Sequence, residues 1–143
     1  MMTFEEYYNQ FHIPYFSASE MLCKGSGHWS SKHKGYMLNT DPPRSLWGNV
    51  IHTAKVASLA RGEVGPIKVT SAYRSPEYNN AVGGATNSLH GQFNALDLIP
   101  VGVTPRELHS TLLRLRNEGR FIGGLGLYNT FVHLDTRGYN ADW

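Results

Sequence analysis

Residues 95–99 read Ala-Leu-Asp-Leu-Ile, a carboxylate in the middle of an apolar run that has the composition of a short buried strand. An ionised carboxylate costs too much to bury alone, so Asp97 requires a cation or a set of donors, and the fold has to deliver them. Seven histidines, at 12, 28, 33, 52, 90, 109 and 133, stand against the single Cys23. One cysteine excludes an intramolecular disulfide and a Cys-rich zinc knuckle. Two of the histidines lie in motifs with acidic partners: Ser88-Leu89-His90-Gly91-Gln92-Phe93-Asn94 runs into Asp97, and Phe131-Val132-His133-Leu134-Asp135 carries its own acid. Two imidazoles and a carboxylate are ligand types that zinc accepts, and three protein ligands leave a fourth position for water, although the spacing alone is not diagnostic. Period two places His133 and Asp135 on one face of a strand, with Val132 and Leu134 pointing into the core.

The remaining pattern predicts a single domain over 1–143 of α+β class, a small antiparallel sheet with flanking helices. Thr3-Phe4-Glu5-Glu6 and Ser17-Ala18-Ser19-Glu20 are capping boxes that open two short helices, the first running to about Gln10 and the second ending near Cys23. Residues 24–37, rich in Gly, Ser, Lys and His, read as a solvated surface loop, His28 and His33 included. Asp41 caps the next helix with Pro42 at its first position, and Leu46, Val50, Ala54, Ala57 and Ala60 form its apolar stripe up to Arg61-Gly62. Strands follow at 67–70 and 95–99, with a brief helix over 76–81 between them. Thr104-Pro105-Arg106-Glu107 boxes a helix striped by Leu108, Leu112 and Leu115, and a tight hairpin through Asn129-Thr130 joins strands over 122–128 and 131–136.

Composition excludes several classes. Charged residues are 17% of the 143 and hydrophobic ones 41%, which argues against disorder. A net charge of +2 gives no basic footprint for nucleic acid. No window approaches the ~18 apolar residues of a membrane span, and the acidic start MMTFEEYYNQ lacks the pattern of a secretory signal. Gly123-Gly124-Leu125-Gly126 is no dinucleotide loop, because no helix follows it.

Ser71-x-Tyr73-Arg74-Ser75-Pro76, Ser88-x-His90, Ala95-x-Asp97 and Phe131-Val132-His133-x-Asp135, in this order, resemble the zinc D-Ala-D-Ala carboxypeptidases. That family includes murein endopeptidases and phage endolysins and shares its fold with the Hedgehog signalling domain. Gly124, Gly126, Tyr128, Thr136 and Trp143 extend the likeness to the murein endopeptidase branch. The resemblance implies one zinc ion held by His90, Asp97 and His133, and an Arg74 that binds a substrate carboxylate or the developing oxyanion. It implies metal-assisted hydrolysis of amide bonds in peptidoglycan stem peptides, of D,D-carboxypeptidase or endopeptidase type. A protein made in the cytoplasm and acting at the bacterial cell wall, as a host enzyme or as a phage lysis or virion component beside other tail proteins, suits that activity.

Two positions depart from the family pattern. Phe93 stands where a glycine is usual, which predicts a different path for the loop between the ligands. Thr130 stands where many members carry an acidic general base, and a hydroxyl is no base near neutral pH. Asp135 is the nearest substitute, either accepting the water's proton or holding a metal histidine in the right tautomer. Tyr73 and Tyr128 are candidates for the cleft wall, and Ser88 for orienting the loop that carries His90. Two rivals remain at this stage. One is a virion structural or cell-wall-binding module that keeps the fold without turnover, and the other is a peptidase using Cys23.

Overall fold

The computed structural model describes residues 1–143, with elements in the order α1 (Phe4–Asn9), α2 (Ala18–Met21), α3 (Ser26–Trp29), α4 (Trp47–Val64), β1 (Ile67–Ser71), α5 (Pro76–Ala81), β2 (Ala95–Pro100), α6 (Pro105–Asn117), β3 (Gly124–Leu127), β4 (Val132–Asp135) and β5 (Ala141–Asp142). The class is α+β. The five strands lie in the order β1-β2-β4-β3-β5, and neighbours are antiparallel except β3 and β5, which run parallel and make the sheet mixed. No helix is long and apolar enough to cross a membrane.

One face of the sheet carries Leu96, Leu98, Val132 and Leu134, all fully buried against α4 and α6. The other face carries Asp97, His133 and Asp135. Register does the rest: Asp97 sits directly opposite His133 on the paired strands β2 and β4, with β4 at the centre of the sheet. A one-residue slip would turn both strands over and bury the charges in the core.

Both N-terminal capping boxes form in full, with Thr3 and Glu6 satisfying each other's backbone N–H groups and Ser17 and Glu20 doing the same. At α6 only the Thr104 half of the expected box forms. The start of α4 differs from expectation. Pro43 follows Pro42 and forces it out of the helical region, so the chain remains extended to Pro43 and the long helix begins only at Trp47, after a 3-10 turn at Arg44–Leu46. Asp41 therefore caps nothing and pairs instead with Lys24. The far end also differs: Gly62 lies within α4, and the terminator is Gly65 at φ 87° with Pro66 behind it.

Residues 24–37 are not a solvated loop throughout. They hold the short turn α3, and His28 is buried, its Nδ1 accepting the Asn39 backbone N–H at 3.0 Å. Gly25 and Gly35 let the segment close over the Tyr78 ring, where an added Cβ would lie 2.6 and 2.8 Å from the nearest tyrosine atoms. Asn39 completes the attachment, since its side-chain amide donates to the carbonyls of Lys24 (3.0 Å) and Tyr73 (2.9 Å) while its oxygen accepts from Ser75 N–H (2.9 Å).

Tyr8 ties α1 to the segment before α2 through a 2.8 Å bond to the Phe16 carbonyl, and burial first, then Glu20, pushes its hydroxyl up to about 12. Removing that hydroxyl leaves a buried carbonyl unpaired. The Tyr8→Phe variant should lose about 1 kcal/mol of stability, read as a lower urea midpoint at unchanged slope. Because the folded pKa lies above the ordinary 10.0, the wild-type advantage should hold below pH 10 and fade as pH rises toward 12.

Candidate metal centre and active-site cleft

The short turn over Leu89–Gln92 delivers His90, and Ser88 caps it, its Oγ accepting the His90 N–H at 3.2 Å. The chain then returns to β2 through Phe93, which is fully buried and adopts the left-handed conformation at φ 57° that glycine takes without strain. Its ring packs against Phe4 and Tyr73, and that burial offsets the cost of the backbone. The departure at Phe93 thus leaves a left-handed turn between the two ligands.

His90 donates from Nδ1 to the Ala72 carbonyl at 2.7 Å, which leaves a lone pair on Nε2, 3.2 Å from Asp97 Oδ1. His133 donates from Nε2 to Asp135 Oδ2 at 2.7 Å, which leaves a lone pair on Nδ1, also 3.2 Å from Asp97 Oδ1. Three lone-pair atoms therefore converge within 4.8 Å of one another, all on buried residues. With both neutral imidazole protons already used, Arg74 answers only the other Asp97 oxygen, and a cation would satisfy the three converging lone pairs. The two 3.2 Å separations match the ligand–ligand edge of about 3.3 Å that follows from tetrahedral zinc with bonds of ~2.0–2.1 Å. The donor set fits zinc.

Burial lowers the pKa of His90, only partly countered by Asp97. Burial also works against a charged His133, but Asp135 and Asp97 outweigh it and raise that pKa above 6.5. Burial pushes the Asp97 carboxyl up, but where His133 and His90 are protonated and donate to it they outweigh that effect and hold it well below the ordinary carboxylate range.

Asp135 does not reach the cleft. Its side chain is fully buried behind His133 and accepts from Gly124 N–H, from Arg137 N–H and, in a two-pronged pair, from Arg137 Nε and Nη2 at 2.9 and 2.7 Å. Despite burial, these bonds hold its carboxyl far below the usual range. A group so placed cannot take a proton from a water in the cleft, so of its two expected roles the geometry is compatible with orienting His133. Gly124 is required for this packing, since a Cβ there would lie 2.6 Å from Asp135 Oδ2.

A cleft of about 510 Å³ opens over the three ligands and is lined also by Arg74, Ser88, Tyr128, Phe131, Arg137 and Trp143. Arg74 uses three of its five N–H groups, on Ser71 Oγ (3.1 Å), Asn79 Oδ1 (3.4 Å) and Asp97 Oδ2 (3.3 Å), and keeps two for other partners. Tyr128 stacks on Phe131 at 4.3 Å between ring centres, and its oxygen accepts the Trp143 Nε1 proton at 2.7 Å. Tyr73 is elsewhere: its ring is in the hydrophobic core, and only its carbonyl serves the site, through Asn39. Thr130 is exposed in the β3–β4 turn, Cys23 does not line the cleft, and neither do His12, His52 and His109.

Arg137 and Trp143 were not among the expected site residues. Period two from His133 and Asp135 points to Arg137, so that signal was present. Trp143 was not accessible from pattern, because β5 is two residues long; its indole lies 4.9 Å from the His133 ring over Gly126, where a Cβ would come within 2.6 Å of Nε1.

A mixed sheet whose paired strands β2 and β4 present Asp97 and His133, with His90 brought beside them by the Leu89–Gln92 turn, forms a three-ligand group that could hold a metal ion at the floor of an open cleft. The Peptidase M15 family model matches residues 14–135, and the chain belongs to that family of zinc-dependent metallopeptidases. The search of curated proteins returns no match. Arg137 and Trp143 lie beyond the matched segment.

If His133 Nδ1 is a zinc ligand, binding requires that nitrogen to be unprotonated, so affinity should fall as pH drops through the raised His133 value, by up to about tenfold per pH unit below it. Competition titrations against a chromophoric chelator at pH 8, 7 and 6 measure this, and a flat profile would contradict the assigned ligand. In the Asp135→Asn variant His133 loses its fixed tautomer and Arg137 its partner, and zinc affinity should fall about 10–100-fold in the same titration at pH 7.5.

Proposed function

We propose that the protein hydrolyses peptide bonds in the stem peptides of bacterial peptidoglycan, as a D,D-carboxypeptidase or endopeptidase, with one zinc ion on His90, Asp97 and His133. The observation that carries this reading is the convergence of three lone-pair ligand atoms at the floor of an open cleft. Zinc held there supplies the Lewis acidity that activates a water and polarises the scissile carbonyl.

The chain's own residues supply the rest. The Ala72 carbonyl keeps His90 in the tautomer that presents Nε2, and Asp135 keeps His133 in the one that presents Nδ1. Ser88 fixes the turn beneath His90. Arg74 offers its two unengaged N–H groups to a substrate carboxylate or to the oxyanion, where a guanidinium fork binds strongly. The Tyr128 oxygen is occupied by Trp143, so its own proton is available to a substrate carbonyl on the same wall.

A second reading is supported by one feature of the cleft, in which Asp97 is the sole carboxylate and no free base stands beside the ligands. It holds that the protein is a wall-binding or virion module that keeps the metal without turnover. Purified zinc-loaded protein incubated with sacculi and muropeptides, read by mass spectrometry, separates the two. The peptidase reading expects cleaved stem peptides from wild type, none after chelation, recovery on adding zinc and none from His90→Ala. Intact muropeptides beside a working control peptidase, with zinc bound, would favour the second reading.

A further inference from the structure

The cleft has a second arm, of which the assignments above use only Arg74 and Asp97. It has a volume of about 280 Å³, lies between the 24–38 segment and β1, and joins the main cleft at Arg74, Val82, Asp97 and Phe131. Its other polar lining consists of Ser26, His33, Thr70 and Ser71. The one carboxylate it touches, Asp97, is already engaged by Arg74, His90 and His133. Thr70 donates its hydroxyl proton to the Asp97 backbone carbonyl at 3.4 Å, which leaves His33, Ser71 and Arg74 as the donors. The Gly35 N–H donates to His33 Nδ1 at 2.8 Å, so neutral His33 carries its proton on Nε2 and acts as a donor, not as a base. Ser71 Oγ accepts from Arg74 Nε, which frees the hydroxyl proton.

The wall is built, not draped. The His33 ring rests on the backbone of Gly27, where a Cβ would lie 2.9 Å from Cε1, and Tyr78 Oη accepts the His28 N–H at 3.2 Å. The Asn39 bonds to Tyr73 and Ser75 tie the same wall to both neighbours of Arg74. A pocket that combines the Arg74 guanidinium with neutral donors recognises an anion, and its continuity with the main cleft makes that anion part of the same substrate.

We infer that this arm is a subsite for a carboxylate-bearing residue of the peptide substrate, read by the His33 Nε2–H together with the Ser71 hydroxyl and Arg74. The inference rests on the peptidase reading for the identity of the ligand, and the test separates the two. Synthetic stem peptides in which each internal carboxylate in turn is replaced by a carboxamide are assayed with zinc-loaded protein, for equilibrium binding by calorimetry and for cleavage by mass spectrometry. One of these replacements should weaken wild-type binding about tenfold, the scale of one charge-assisted hydrogen bond. His33→Phe, which keeps a ring, and His33→Ala, which relieves any crowding, should both reduce that discrimination to about threefold, with Arg74 and Ser71 supplying the remainder, while His33→Gln, which retains an amide donor, keeps more of it. If no replacement matters, or if discrimination is undiminished in both donor-less variants, the subsite is overturned even where peptides are cut. If His33-dependent discrimination is seen in binding but nothing is cut, the subsite stands and the hydrolytic reading fails. Absence of both binding and cleavage overturns both.

Discussion

The pairing of Asp97 with His133 across β2 and β4 is the constraint on which the site depends. The apolar alternation of the same two strands enforces it, because Leu96, Leu98, Val132 and Leu134 can reach the core only in this register, and the opposite face must then accept the acids and the imidazole. The polar face is affordable because each buried charge is answered. Asp135 is matched by Arg137, Asp97 by Arg74 on one oxygen, and the other Asp97 oxygen faces two imidazole lone pairs. That last arrangement is incomplete without a cation, which makes metal binding part of the electrostatic balance of the folded chain and not an addition to it.

Much of this was legible from residues alone. Alternation over 95–99 and 131–136 gave both faces of the central strands, and the Ser-x-His, Ala-x-Asp and Phe-Val-His-x-Asp motifs pointed to the three residues that converge. The hairpin at Asn129-Thr130 and the short helix at Pro76–Ala81 also stand where their turn and proline signals put them. Local rules failed where two of them competed. Asp41-Pro42 carries a good cap signal, but the second proline vetoes the helical conformation of the first. Gly62 resembles a stop, yet the helix runs past it because Val64 still packs against the core and Glu63 pairs with Arg114.

Other features had no local signal at all. Residues 24–37 have a loop's composition, and what orders them is distant: Tyr78 on α5, and glycines whose lack of a Cβ admits its ring. Burial of His28 and the Asn39 clamp depend on that closure, so no window of neighbouring residues could reveal them. Asp135 shows the same limit in chemistry. Its place one pleat from His133 was readable, but its role was decided by Arg137 and the Gly124 N–H, which saturate it on the side away from the cleft.

The division of labour within the cleft follows from these differences. Asp97 and His133 sit on central strands, where the sheet fixes positions tightly, His90 on the turn that leads into β2, and all three fall within the Peptidase M15 match. The walls come from the periphery: the 24–38 segment on one side, and on the other Trp143, held by β5 pairing to β3 and by the buried Arg116, which donates to the carbonyls of Gly123 and Ala141. The 24–38 wall packs on side chains and glycines outside the β2–β4 pair, whereas Trp143 lies against the His133 ring. The first wall can therefore change without disturbing the register that brings Asp97 and His133 together. Arg74 is the exception, because it touches Asp97 while its two neighbours are fixed by Asn39, so the orientation of the guanidinium couples the substrate walls to the charge state of the ligand set.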